Sequence, residues 1–227
     1  MTKAFPQIRP SPGRRSALAA LVALVALAAI SVAPPSGAQP AEGREYQRLK
    51  NPQAVDTGRR IEVIEFFSYG CPHCADLEPH LNAWFKRMPA DVQFKRVPVM
   101  FQQAWENLAR VYYTLESLGE EHRLSPDVFQ AIHGARNNLA TEQRFFDWAA
   151  TKGLDRKKVE DTYRSFGVNG KVARAKQIAQ AYNVQSVPLV IVDGKFQASS
   201  DRAGGHSELP NAIDAAVAKA RAERPKS

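Results

Sequence analysis

Cysteine is nearly absent: the 227-residue chain holds two, Cys71 and Cys74, separated only by Pro72 and His73. A bridge across two residues closes almost no loop, so it would stabilise the fold very little. The pair therefore reads as reactive and not structural. Histidine is sparse too. His73, His80, His122, His133 and His206 form no His-x₃₋₅-His partner set, and there is no second cysteine pair. A closed four-ligand zinc site is not expected. The chain also lacks a glycine-rich phosphate loop and any Lys/Arg run interleaved with aromatics, so neither nucleotide nor nucleic acid is indicated.

Acidic residues are missing from residues 1–38, which carry Lys3, Arg9, Arg14 and Arg15. An uncharged Ala/Leu/Val stretch follows from Ser16 to Ala33, then Pro34, Pro35 and Ser36-Gly37-Ala38. This is the three-part layout of a secretory signal peptide, with cleavage expected after Ala38. An uncleaved membrane anchor is the alternative, disfavoured by the alanine content and the small-residue tail. The four cations of that segment take the formal charge from +8 to +4 in the remainder (8 − 4 = 4). A mildly basic 189-residue chain (227 − 38 = 189) gives no reason to invoke nucleic acid.

Residues 39–60 are polar and read as an extended lead-in. Ile61 to Ser68 has little alternation, the pattern of a central strand covered on both faces. After the cysteine motif, Leu77, Leu81, Trp84, Phe85 and Met88 fall at helical spacing to about Met88, and Pro79 is expected to kink that helix. Val92 to Phe101 reads as a second strand. A helical block follows. Trp105 to Leu118 is amphipathic and reads as core. A second helix is expected to start at Ser125-Pro126-Asp127, with Ser as cap, and to end near Gly134. Thr141 starts a third, stopped at Gly153. Asp155 starts a fourth, ending near Gly167, and a fifth runs from about Asn169 to Tyr182. Leu189 to Val192, the Asp193-Gly194 turn and Lys195 to Ser199 form a hairpin, and Ser207 begins a last helix to about Ala222. The order predicts an α/β sheet domain with a helical insertion.

A strand running into Cys71-Pro72-His73-Cys74 and then a helix puts Cys71 at the N-cap and Pro72 at the first helical position, where its missing N–H costs nothing. Free N–H groups and the helix dipole favour a thiolate at Cys71. Cys71 is expected to be the exposed, low-pKa nucleophile, and Cys74, one turn in, the buried resolving partner. His73, when protonated, adds positive charge. Stabilising the thiolate stabilises the dithiol, which makes the disulfide oxidising. Glu62 and Glu65 have opposite strand parity, so one of them is expected to point inward. A buried carboxyl would have a raised pKa and could exchange protons with Cys74.

Phe66-Phe67-Ser68-Tyr69-Gly70-Cys71-Pro72-His73-Cys74, behind a signal peptide and ahead of a helical block, resembles the DsbA family of periplasmic disulfide-forming proteins. The resemblance spans about residues 45–222. It implies a thioredoxin-like fold at 39–101 and 168–227 with an inserted helical domain at 102–167. It also implies that Glu65 is the inward acid, paired with Lys95 on the next strand, and that Pro188 is cis, with the Val187 backbone free to pair with an extended substrate peptide. The implied activity is donation of the Cys71–Cys74 disulfide to reduced, newly exported proteins in the periplasm. Reoxidation is by a DsbB-like, quinone-linked membrane protein, the enzyme is a monomer, and no cofactor or metal is needed. Two alternatives remain at this point: a disulfide isomerase or reductant, and a non-catalytic peptide- or copper-binding protein.

Overall fold

Two strands precede the cysteine motif in the computed structural model, β1 (Tyr46–Arg48) and β2 (Ile61–Phe67). The described residues are Met1, Thr2 and 41–224, so the expected signal segment lies almost wholly outside them. All seven residues of β2 are buried, as its unbroken apolar pattern requires of a central strand. Next come helix α1 (Pro72–Phe85) and strand β3 (Val92–Pro98), parallel to β2. The hairpin β4 (Leu189–Val192) and β5 (Phe196–Ala198) completes a five-stranded sheet of order β1-β5-β4-β2-β3. Its turn places Asp193 at φ 52° and Gly194 at φ 63°, a left-handed pair closed by the Lys195 N–H on the Val192 carbonyl at 3.0 Å.

The helical block consists of α2 (Gln103–Ser117), α3 (Glu121–Phe129) continuing into a π-helical turn at Gln130–Gly134, α4 (Glu142–Thr151) and α5 (Arg156–Tyr163). Helix α6 (Phe166–Ala181) leads back to the sheet, and α7 (Ser200–Ala203) and α8 (Leu209–Glu223) follow the hairpin. Two apolar clusters form. One joins Ile64, Phe66 and Phe67 of β2 to α2 and the rest of the helical block, including Leu108, Val111 and Leu115. The other joins Ile61 and Val63 to Leu77, Leu81 and Trp84 of α1 and Ile213 and Val217 of α8. Within the first cluster Phe67 lies edge-on to Tyr69 and Tyr112, at 5.2 and 5.3 Å between centroids. A fully buried ring of this size contributes about 2–3 kcal/mol.

Three element expectations need correcting. Helix α3 starts at Glu121, so Ser125 and Pro126 lie inside it. The Ser125 hydroxyl is occupied by Tyr69, 2.6 Å away, and by Glu121, so it caps nothing. Helix α5 ends at Tyr163, and Gly167 belongs to the first turn of α6, where Ser165 accepts the Val168 N–H. A domain boundary at 167/168 thus falls within a helix. Within the lead-in, β1 pairs antiparallel with β5, a three-residue edge strand too short to be read from periodicity. Helix α1 runs on through Pro79 to Phe85.

Candidate active site

The candidate site forms where β2 hands over to α1. Cys71 is the N-cap residue, with extended backbone (φ −95°, ψ 117°), and Pro72 is the first helical residue. The Cys71 N–H donates to the Ser68 carbonyl at 3.0 Å, which fixes the turn. Facing the thiol is the loop before β4. The Val187–Pro188 peptide bond is cis, and the Cys71 thiol donates to the Val187 carbonyl at 3.6 Å. Cys71, Pro72, His73, Cys74, Val187 and Pro188 therefore meet at one place. The exposed expectation for Cys71 is corrected: the residue is 5% accessible, against 0% for Cys74. The Val187–Pro188 loop covers it. His73 is exposed.

Both cysteines are in the dithiol state. The Cys71 thiol is lowered to about 6, chiefly because the Cys74 thiol donates to its sulfur. Burial opposes this, while the backbone N–H groups of Cys74 and His73, and the His73 charge, add to it. Cys74 is driven far above its ordinary value by burial, by its bond to Cys71 and by the nearby Cys71 and Glu65 charges. One sulfur is thus prepared as thiolate and the other as thiol.

Beneath the cysteines lies a buried charge cluster that the sequence did not disclose. Arg96 of β3 bonds Glu65 at 2.7 Å through Nε, Glu78 of α1 at 2.6 Å, and Glu121 of α3 at 3.3 Å. All four side chains are buried. Burial raises Glu65 to about 7 despite the pull of Arg96, and Glu78 adds to the rise. Burial alone would weaken the Arg96 charge, but its three carboxylates more than offset that and hold it protonated.

The expected Glu65–Lys95 pair does not form. In the parallel register Glu65 stands beside Arg96, whereas Lys95 stands beside Ile64 and points to the opposite sheet face. There its Nζ meets Glu62 at 2.5 Å, in a cavity of about 250 Å³ shared with Ile178 of α6 and with Tyr182 just after that helix. The parity expectation for the acids is corrected as well. Glu62 (2% accessible) and Glu65 (1%) are both buried, because β2 is covered on both faces. Glu78 did carry a signal, since it sits four residues after Cys74 on the same stripe of α1. His133, in the π-helical turn, was also missed. Its Nε2 lies 2.8 Å from the Tyr69 carbonyl, which only accepts, so this nitrogen donates.

Comparison with known proteins agrees with the arrangement. A family profile described as "DSBA-like thioredoxin domain" matches residues 77–207, beginning just after the cysteine motif. The thiol:disulfide interchange protein DsbA of Pseudomonas aeruginosa is 41% identical over 180 residues, covering 79% of this chain and 85% of that protein. The protein of the same name from Burkholderia cepacia is 40% identical, with 73% and 79% covered. The crystal structure of Pseudomonas aeruginosa DsbA superposes with a TM-score of 0.76 over 80% of this chain and 95% of that one, at 41% identity. The oxidoreductase NmDsbA1 of Neisseria meningitidis gives 0.72 at 27% identity, with 81% and 95% covered. The chain belongs to the DsbA family, with a thioredoxin-like fold, and is a thiol–disulfide oxidoreductase that catalyses dithiol–disulfide exchange.

Proposed function

We propose that this chain is the oxidant of exported proteins in the periplasm, donating the Cys71–Cys74 disulfide. The observation that carries this reading is the divergence of the two sulfurs, Cys71 held towards thiolate at the N-cap of α1 and Cys74 held as thiol. Stabilising one thiolate stabilises the dithiol product, and a disulfide whose reduced form is stabilised is a strong oxidant. A substrate thiolate attacks the Cys71 sulfur, and the S–S electron pair leaves on Cys74, which takes up a proton. A second substrate thiolate then attacks the substrate sulfur of the mixed disulfide and expels Cys71 as thiolate. Two electrons end on the enzyme, and the substrate leaves with one disulfide. Glu65, near neutrality in its titration, supplies the proton to Cys74, and Arg96 takes the pairing role expected of Lys95.

The Val187 carbonyl lies beside the reacting sulfur, within a cavity of about 940 Å³ that Val187 and Pro188 help to line. An extended peptide pairing with that backbone would present its cysteine to Cys71. Reoxidation then falls to a DsbB-like membrane protein linked to quinone, and the enzyme works as a monomer, with residues 39–101 and the chain from α6 onward as the catalytic domain and the helices between them as its insertion. Among the described residues no helix is long and apolar enough to cross a membrane. Amino-terminal sequencing of the exported protein, expected to begin after Ala38, tests the signal.

The direction of electron flow is tested by equilibrating the chain with glutathione redox buffers. The expected midpoint lies on the oxidising side of the glutathione couple. A midpoint at the thioredoxin end would make the protein a reductant and overturn the proposal. Cys71→Ser is expected to abolish oxidation of a reduced protein substrate, which a non-catalytic binder would not show.

A further inference from the structure

A second set of donor side chains converges at the mouth of the active site. His73 and Asp76 stand three residues apart in the first turns of α1 and share a face of it. His206 reaches the same place from the loop after α7. One donor atom from each residue lies within 4.8 Å of the other two. The two imidazoles are 6.2 Å apart between centroids, and His73 Nδ1 is 4.0 Å from Asp76 Oδ2. Tetrahedral ligands with bonds of about 2.0–2.1 Å sit roughly 3.4 Å from one another. The gap is at most about 1.4 Å, and His73 and Asp76, both exposed, can close it by side-chain rotation.

Two further features fit a metal. His206 Nδ1 is 2.7 Å from the Ser200 hydroxyl, the kind of outer bond that fixes an imidazole and, with the proton on Nδ1, leaves Nε2 as its free donor atom. His73, Ser200 and His206 also line the cavity of about 940 Å³ beside Val187 and Pro188, which leaves room for a water at a fourth position. The positive end of α1 disfavours a cation, and the Asp76 carboxylate offsets it. Two imidazoles, one carboxylate and an open position suit a borderline divalent ion of the zinc class better than calcium or magnesium, which take oxygen ligands. The sequence spacing that speaks against a closed structural zinc does not bear on such an open site, whose ligands come from two separate elements.

We propose that His73, Asp76 and His206 form an open divalent transition-metal site, independent of the cysteine sulfurs, at the entrance to the active site. Its ion withdraws His73 from Cys71 and obstructs the approach of a substrate, so the loaded enzyme exchanges disulfides more slowly. The site is tested on the chain with Cys71 and Cys74 joined as a disulfide, so that the thiols cannot chelate. Calorimetric titration of the chelator-stripped protein with Zn²⁺ is expected to give one ion per chain, weakened at least tenfold by Asp76→Ala and by His206→Ala. Absence of saturable binding, or equal binding by wild type and both variants, overturns the proposal. In an oxidation assay, Asp76→Ala should match the wild type without Zn²⁺ and resist inhibition at a Zn²⁺ concentration that slows the wild type. Equal inhibition of both would likewise overturn it.

Discussion

Three carboxyl groups share one guanidinium behind Cys74. Burial is what chiefly raises Glu65 to about 7, and the charges of Glu78 and Glu121 add to the rise against the pull of Arg96. Fully ionised, Arg96 with Glu65, Glu78 and Glu121 would bury two uncompensated negative charges, so one carboxyl gains by holding its proton. For Glu65 the folded value is raised from 4.5 to about 7. Between those pH values the folded chain binds the proton that the unfolded chain has lost, so stability falls as pH rises through the window. The full cost above pH 7 is about 3 kcal/mol. Glu65→Gln keeps the neutral shape and an acceptor for Arg96. It is expected to stabilise the protein by about 1–3 kcal/mol at pH 8 and to change it by less than about 1 kcal/mol at pH 5, read by urea denaturation. A stabilisation equal at both pH values would deny the raised titration. The same cluster separates the two cations of β3. Arg96→Met strands buried carboxylates and is expected to cost about 3–5 kcal/mol. Lys95→Met, on the other sheet face, should leave the rate of dithiol–disulfide exchange within about twofold of wild type, because nothing it touches reaches the cysteines.

The elements around the site differ in how clearly their residues announce them. β2 was legible because a strand buried on both faces needs an unbroken apolar run. The start of α1 was legible because Cys-Pro at an N-terminus has a steric reason to be there. Ser125-Pro126 misled for the complementary reason. The same two residue types that begin helices can sit inside one when the serine has a tertiary partner, here Tyr69, 56 residues away. Gly167 misled because Ser165 caps α6 just before it, and a glycine in a first turn stops nothing. Register was beyond periodicity altogether. The pairing of Glu65 with Arg96 and not Lys95 depends on which residues of β2 and β3 stand side by side, and no local pattern states that. Gly70, between the strand and Cys71, shows how tightly the helical block approaches this junction. A Cβ there would lie 2.6 Å from Trp105 Nε1 and 3.2 Å from Leu108. Gly70→Ala must therefore displace the Trp105 indole of α2. The expected result is a shifted tryptophan emission, a loss of about 1–3 kcal/mol of stability and slower exchange, since the same movement disturbs the turn that sets Cys71. An unchanged emission spectrum would mean the gap is wider than these distances imply.

At the scale of the whole molecule, the chemistry of one sulfur becomes a property of the fold. In the dithiol form the Cys71 value is about 6 when folded and 9.0 when free. From pH 6 to pH 9 the unfolded chain therefore holds a proton that the folded chain has released. Dithiol stability rises with pH across that window and is lost as pH falls through about 6. The gain is about 1 kcal/mol at pH 7 and about 2 kcal/mol at pH 8, after allowance for partial solvent screening. Above pH 9 the direction reverses, because Cys74 is held protonated in the fold and not in the free chain. The disulfide form has no thiol to titrate, and its four-residue ring restrains the unfolded chain too little to compensate. Glu65 shifts stability the opposite way between pH 4.5 and 7, but it does so in both redox forms and largely cancels in their difference. Thermal melts of the two forms at matched pH therefore isolate the cysteines. The dithiol form is expected to melt higher at pH 8, by about 2–4 °C for each kcal/mol of the gain. That advantage should shrink steadily towards pH 5.5. A gap independent of pH would place the stabilisation of the reduced protein somewhere other than the Cys71 thiolate. A gap in favour of the disulfide at pH 8 would remove the thermodynamic reason for this protein to give its disulfide away.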